Sequence, residues 1–282
     1  MKSQPTTRDE REAARRRARR RGLAISATST VALLAALAFA VLLSPGWHLV
    51  RTTFFSWHWF NSSLRPLIDA FWLDVRMFVI IEVIVLVLGM AIALLRTMRS
   101  PVLFPLRGLA AIFVDVMRGV PLLLLLYLIG FGVPALRSSF LPTDETILGG
   151  AALAFCYSAY VSEVFRAGIL SIHPSQPAAG LALGLTRTQV LTHVVVPQAV
   201  RRVVPPLLND FISLTKDVAL VSVLGPQEIL RAAQVIQDYN FNFTPLVAAG
   251  AVYLCVTIPL IRFVDSRQAR ARRQQEGVLV VL

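Results

Sequence analysis

The run Leu23 to Leu43, LAISATSTVALLAALAFAVLL, holds 21 residues without a single charge. A helix rises about 1.5 Å per residue and the hydrocarbon core of a bilayer is about 30 Å thick, so a run of this length crosses it once. Five further segments read the same way: Met77 to Leu95, Ala110 to Leu136, Thr146 to Ser162, Val203 to Gly225 and Pro245 to Ile261. The fourth and sixth windows are short enough for buried helices, but their freedom from charge favours spanning. No stretch alternates in the manner of a transmembrane barrel strand. The expected fold is therefore all-α and membrane-integral, with about six transmembrane helices.

Composition excludes the main alternatives. The chain of 282 residues is 56% hydrophobic and only 16% charged, too few charges to cover a soluble domain of that size. A net charge of +12 would suggest a nucleic-acid partner only if the arginines gathered on one folded face. They lie instead at the ends of apolar runs, so no nucleic acid is expected. Cys156 and Cys255 fall inside apolar segments, where a thiol acts as a small hydrophobe, and imply neither disulfide nor metal. His48 and His58 lack a third ligand nearby.

Lysine and arginine placement sets the orientation. One set of tails and loops holds 9 (Met1 to Gly22), 3 (Arg96 to Arg107), 4 (Arg166 to Arg202) and 5 (Arg262 to Glu276). The other holds 2 (Ser44 to Val75), 1 (Pro134 to Glu145) and 1 (Pro226 to Thr244). Both termini are thus expected in the cytoplasm. The first apolar run follows a basic region as a signal peptide would, but it exceeds a usual signal core and is expected to stay. The basic arm acts as a topology signal, with contact to anionic lipid as the alternative. The aromatic stretch FFSWHWF, with Trp57, Trp59 and Phe60, fits an interfacial belt outside.

The cytoplasmic connection Arg166 to Arg202 is the longest inside loop, and long loops in compact chains are functional or disordered. Its sequence argues for order. Pro174 and Pro177 restrict the entry, Ala178 to Leu183 form a short helix, and Gly184 ends it in the left-handed conformation. Thr186 with Gln189 reads as a capping box opening a second helix that runs to Pro197. The result is a bent elbow whose Leu181, Leu183, Leu185, Val190, Leu191 and Val194 to Val196 exceed what a free loop exposes. Lying on the membrane surface is one account; the scarcity of basic residues favours docking to a protein.

These residues resemble a known family. Ala178, Ala179 and Gly180, then Gly184, then Val194, Val196 and Pro197 follow the EAA-loop pattern of ATP-binding-cassette importer permeases. The blocks SEVFRAGILSIHPSQ, PQAVRRVVPPLLNDFISLTKDVALVSVLG and FVDVMRGVPLLLLLY are similar to its polar amino acid branch, whose substrates are of the histidine, glutamine, glutamate and arginine type. The likeness runs from about Met77 to Arg267. It departs where the family's glutamate is Ala178 and its second alanine is Gly180. The resemblance implies a type I core of five helices, here with one added N-terminal helix. It also implies a cytoplasmic ATP-binding subunit that holds ATP and Mg, a second permease copy or paralogue, and an extracellular or lipid-anchored substrate-binding protein. The organisation expected is a basic arm over 1–22, an extra helix and external loop over 23–75, a transport domain over 76–265 with its coupling loop at 166–202, and a tail over 266–282.

The residues independently place the ATP chemistry elsewhere. A P-loop needs a lysine directly after glycine, and the only lysines, Lys2 and Lys216, have no glycine before them. Nor does any nucleophile, metal cluster or acid/base pair suggest an enzyme. An ion-coupled carrier would show repeated halves with broken helices; no such repeat relates Met77 to Leu136 with Val203 to Ile261. A non-transporting scaffold would not require charges in the fifth segment.

That segment carries Asn209, Asp210, Ser213, Lys216 and Asp217, which at about 100° per residue fall within an arc of roughly 120°. Charges inside spans are costly and turn inward. The stripe lines a translocation path or, alternatively, pairs internally to lock helices. Glu163 with Arg166 at i+3 reads as an interfacial anchor, with a gate as the second reading. Arg118, Gly119 and Pro121 resemble the family's RGTP block, where Pro121 frees a carbonyl and permits a kink. Glu82 pairs with an arginine such as Arg76 or tunes specificity.

Overall fold

The computed structural model describes residues 7–98 and 100–279. Twelve α-helices follow in order: α1 Thr7–Leu42, α2 Trp47–Phe54, α3 Trp57–Thr97, α4 Phe104–Gly119, α5 Leu122–Gly130, α6 Gly132–Ala135, α7 Glu145–Leu170, α8 Ser175–Ala182, α9 Arg187–Val190, α10 Val196–Asp217, α11 Ile229–Asn240 and α12 Thr244–Leu279. Among the described residues there is no strand. The helices long and apolar enough to cross a membrane are Arg21–Leu42, Trp47–Thr97, Glu145–Leu170 and Thr244–Ala269. The bent pair Pro101–Gly119 and Leu122–Ala135 raises the number to as many as five.

The chain divides into two compact units at Ser56 and Trp57. In the first, the basic segment from Thr7 and the apolar run form one uninterrupted helix. The second unit holds the rest, and α7 is its central post. This helix starts where Asp144 accepts a hydrogen bond from the Ile147 amide, 2.9 Å, satisfying one orphan donor of the first turn. Its buried side is built largely of small residues, Gly149, Ala152, Ala154, Ser158, Ala159, Ser162 and Gly168, which let neighbouring helices approach closely, as lipid gives no hydrophobic drive between them. At Gly168 a Cβ would stand 2.1 Å from Val203 Cγ1 of α10. The main core joins Met77, Ile81 and Val85 of α3 to Leu153, Tyr157 and Val161 of α7 and Leu214 of α10. A second cluster seats α11 and α12 on α3 through Leu67, Ile229, Ala233 and Ala248.

The kink that Pro121 permits is present, and three other expectations are corrected. Within the run Ala110 to Leu136, α4 and α5 are bent by 108°. Val120 is extended (ψ 133°) and Pro121 follows it, because the proline ring excludes its predecessor from the helical region. The segment 44–75, expected as an external loop, is mostly helical, and α3 runs through 75/76 unbroken; Pro66 lies inside α3. The helix Val203 to Gly225 begins earlier, at Val196, and ends at Asp217; Val218–Leu224 tightens into a 3-10 helix closed by Gly225 at φ 121°. The second elbow helix does not stop at Pro197 but continues through a π-helical turn, Leu191–Val195, into α10. A π turn spaces the carbonyls away from the proline ring that would meet the one four residues back.

Candidate functional site: a charged cavity, an arginine cluster and an exposed elbow

A cavity of about 460 Å³ opens beside the α4–α5 bend. Its wall is built from Arg118 to Leu122, from Cys156, Tyr157 and Tyr160 of α7, and from Asp210, Ser213 and Asp217 of α10. The bend aims Arg118 and the backbone before Pro121 at the same space as the α10 carboxylates. Three of the five stripe residues therefore meet the cavity. Asn209 and Lys216 do not line it and are exposed on this chain.

Asp217 accepts a hydrogen bond from the Tyr157 hydroxyl, 2.7 Å. Tyr157 is not among the residues that the sequence singles out; its signal is a single tyrosine on the small-residue buried face of α7. The Oδ2 of Asp210 is buried and meets no hydrogen-bond donor among the described residues. An unmet acceptor of this kind costs about 1–3 kcal/mol unless water or a ligand supplies the donor. Glu82 sits within electrostatic reach of Asp210. Arg76 lies over the Trp72 ring, 5.6 Å from its centroid, and forms no ion pair with Glu82 among the described residues.

Glu163 is the hub of a second cluster. Arg166 of the same helix reaches its Oε2 through Nε and Nη2, at 3.0 and 2.7 Å. Arg96, from the end of α3, binds Oε1, and the Arg118 Nη1 stands 3.8 Å from the same oxygen. Arg118 also lies over the Tyr160 ring, 5.6 Å away, while the Tyr160 hydroxyl donates to the Arg118 carbonyl at 3.4 Å. The expected Glu163–Arg166 pair is present within a larger, interhelical one. Arg96 had been counted only as a loop charge, because nothing local in its sequence marks a partner 67 residues away.

The elbow is ordered by its own residues. Gly184 has φ +82°, a conformation that L side chains adopt only under strain. The Thr186 side chain accepts from the Gln189 amide while Gln189 reaches back to the Thr186 amide, a complete capping box. Gly180 is buried against Val190, whose Cγ2 would lie 2.9 Å from an added Cβ. Ala178, Ala179 and Pro197 are exposed, and Val194 is half-buried. Leu183 is 83% exposed, Leu191 53% and Leu181 47%. The elbow thus buries Gly180 and Val190 internally and leaves Leu181, Leu183 and Leu191 exposed among the described residues.

Residues 85–273 match the family model for the binding-protein-dependent transport system inner membrane component. The chain belongs to this family. A probable amino-acid ABC transporter permease of Sinorhizobium fredii is 39% identical over 184 residues, 64% of this chain and 77% of the relative. A putative glutamine transport system permease of Rickettsia typhi is 33% identical, covering 71% of this chain and 90% of its own length. An L-cystine transport system permease of Bacillus subtilis is 34% identical over 64% of this chain and 79% of its own. The crystal structure of an amino acid ABC transporter with histidines superimposes with a TM-score of 0.65 at 30% identity, over 73% of this chain and 94% of that one. An inward-facing methionine ABC transporter shares the fold, with a TM-score of 0.56 at 18% identity. The permease is thus a transport subunit integral to the cytoplasmic membrane, with the fold of type I ABC importers.

Proposed function

We propose that this permease moves a polar amino acid across the cytoplasmic membrane, driven by a separate ATP-binding subunit that docks on the elbow Ala178 to Pro197. The observation that carries the docking half is the elbow's rigid frame with three large leucines left in water, since apolar residues presented on an ordered protrusion mark an interaction surface. Ala178, Ala179, Gly180, Gly184, Val194 and Pro197 form that frame. Because Ala178 replaces a carboxylate, the contact is apolar rather than ionic at that point. ATP and Mg belong to the partner.

The cavity supports the substrate half. A zwitterion needs an anionic and a cationic receptor within one small space, and Asp210, Asp217 and Arg118 supply them. The unmet Oδ2 of Asp210 is an acceptor for an ammonium group. Asn209 and Lys216, exposed at the edge of the same stripe, face a second permease copy or paralogue across the path. An external or lipid-anchored binding protein delivers the substrate, both termini lie in the cytoplasm, and the Met1 to Ser56 unit is an addition outside the transport core.

Leu183→Glu puts a charge on the elbow's most exposed leucine without touching its internal packing. The variant is expected to fold and insert normally, yet to lose co-purification of the ATP-binding subunit by roughly tenfold or more, the scale of a lost apolar anchor of about 1.5–3 kcal/mol. Undiminished co-purification would remove the docking role of the elbow.

A further inference from the structure

Away from the cavity and the elbow, two carboxyl groups are buried together where α11 meets α3. Asp74 is 2% exposed and Glu228 0%. Glu228 caps α11, its two oxygens accepting from the Leu230 and Arg231 amides at 2.8 and 2.6 Å. Asp74 reaches in from α3, and its Oδ2 accepts from the Ile229 amide at 3.2 Å. The two carboxyl groups thus converge on three consecutive amides, Ile229, Leu230 and Arg231, at one helix start. No cation lies within salt-bridge distance of either among the described residues. Asp74 Oδ1 is buried and meets no donor among the described residues.

Two bare charges buried side by side without a cation repel at close range, and a single proton placed between them turns that repulsion into a hydrogen bond. We propose that Asp74 and Glu228 share one proton, and that this proton locks α11 and, through it, α12 onto α3. The proton is the donor that Oδ1 otherwise lacks. Three backbone amides then compensate the single negative charge that remains, with the α11 N-terminus adding its dipole. From α12, the third element packed here, Tyr253 is the titratable group that faces the pair; its hydroxyl is buried without a partner among the described residues and supplies a further donor on small motion. From α10, Thr215 contributes a neutral group to the 410 Å³ cavity that Asp74 also lines, and this opening lets the proton exchange without unfolding. Burial, and then the neighbouring Asp74, raise Glu228 well above the ordinary carboxylate range. The lock is independent of the transport reading: it rests on a junction that neither the path nor the elbow uses.

Its signature is a stability that falls with rising pH. A carboxyl protonated in the fold but ionised in the unfolded chain binds an extra proton when folded. Its contribution is complete at pH values below the ordinary glutamate range, and is lost as pH rises through the higher folded value. Thermal unfolding of the full-length chain in detergent is expected to show a midpoint lower by on the order of 5 °C at about pH 9 than at about pH 5. In Glu228→Gln and in Asp74→Asn, each of which supplies a permanent donor in place of the proton, that slope flattens. A slope in both variants equal to the parent's would overturn the proposal. So would a parent midpoint that follows sodium or potassium concentration at fixed pH, since the pair would then hold a metal cation. Should neither variant fold, infrared spectra of the parent with isotope-labelled glutamate decide: a protonated-carboxyl band at neutral pH supports the shared proton, and its absence refutes it.

Discussion

Replacing Glu163 by glutamine is expected to lower the thermal midpoint of the permease by about 10 °C, the largest effect of any single substitution considered. Three arginines converge on this carboxylate from α3, α4 and α7, so its removal leaves three cations with no anion between them. The three contacts are unequal. Arg166 is a neighbour at i+3 on the same helix and a third exposed (35%); such pairs contribute about 0.5 kcal/mol. Arg118 is 42% exposed and 3.8 Å away, and contributes little. Arg96 is 15% exposed against 19% for Glu163 and ties two helices together. Removing a partner from a buried pair costs about 3–5 kcal/mol, and the residual exposure places this site at the lower end. Arg96→Gln should therefore approach Glu163→Gln in damage, while Arg166→Gln shifts the midpoint by only about 2 °C. Thermal scans of the three variants in detergent would show this order. Equal damage at Arg96 and Arg166 would mean that the pair within α7, not the link between helices, holds the cluster.

Asp217→Asn is expected to cut substrate uptake by about tenfold to a hundredfold while leaving the level of assembled transporter unchanged. The range is that of a lost hydrogen bond to a charged group, about 1.5–3 kcal/mol. Asp217 lines the cavity and holds the Tyr157 hydroxyl. Asparagine keeps the shape and an acceptor for that hydroxyl but removes the charge presented to a substrate ammonium. Tyr157→Phe removes the hydroxyl and keeps the charge, so uptake should fall less. If the bond to Tyr157 were all that mattered, the two variants would exchange places. Uptake of labelled polar amino acids into cells expressing each variant, normalised to membrane level, separates the two outcomes.

Local chemistry was legible in the sequence, and pairing across helices was not. The capping box at Thr186 and Gln189 and the left-handed Gly184 depend on backbone rules acting over four residues, and the structure contains both. The Glu163–Arg166 pair is likewise set by helical spacing. Arg96 and Tyr157 escaped because their partners lie 67 and 60 residues away, and only the packing of the small-residue face of α7 brings them together. The broken span at Pro121 shows another limit. An apolar run of sufficient length satisfies the bilayer whether it is straight or bent by 108°, so hydropathy does not distinguish the two, although the proline itself marks the place. The Asp74–Glu228 pair left no trace either, since each acid in isolation reads as a charge at the edge of a helix.

The central claim is that a nucleotide-driven neighbour, seated on the elbow, powers movement through the charged cavity. Its direct test is uptake of a polar amino acid into vesicles containing purified permease, with the binding protein and ATP supplied, in the presence and absence of the ATP-binding subunit. Accumulation only when that subunit is present, and its loss in Leu183→Glu, is the result predicted here. Equal accumulation without the subunit, driven by an ion gradient alone, would contradict it.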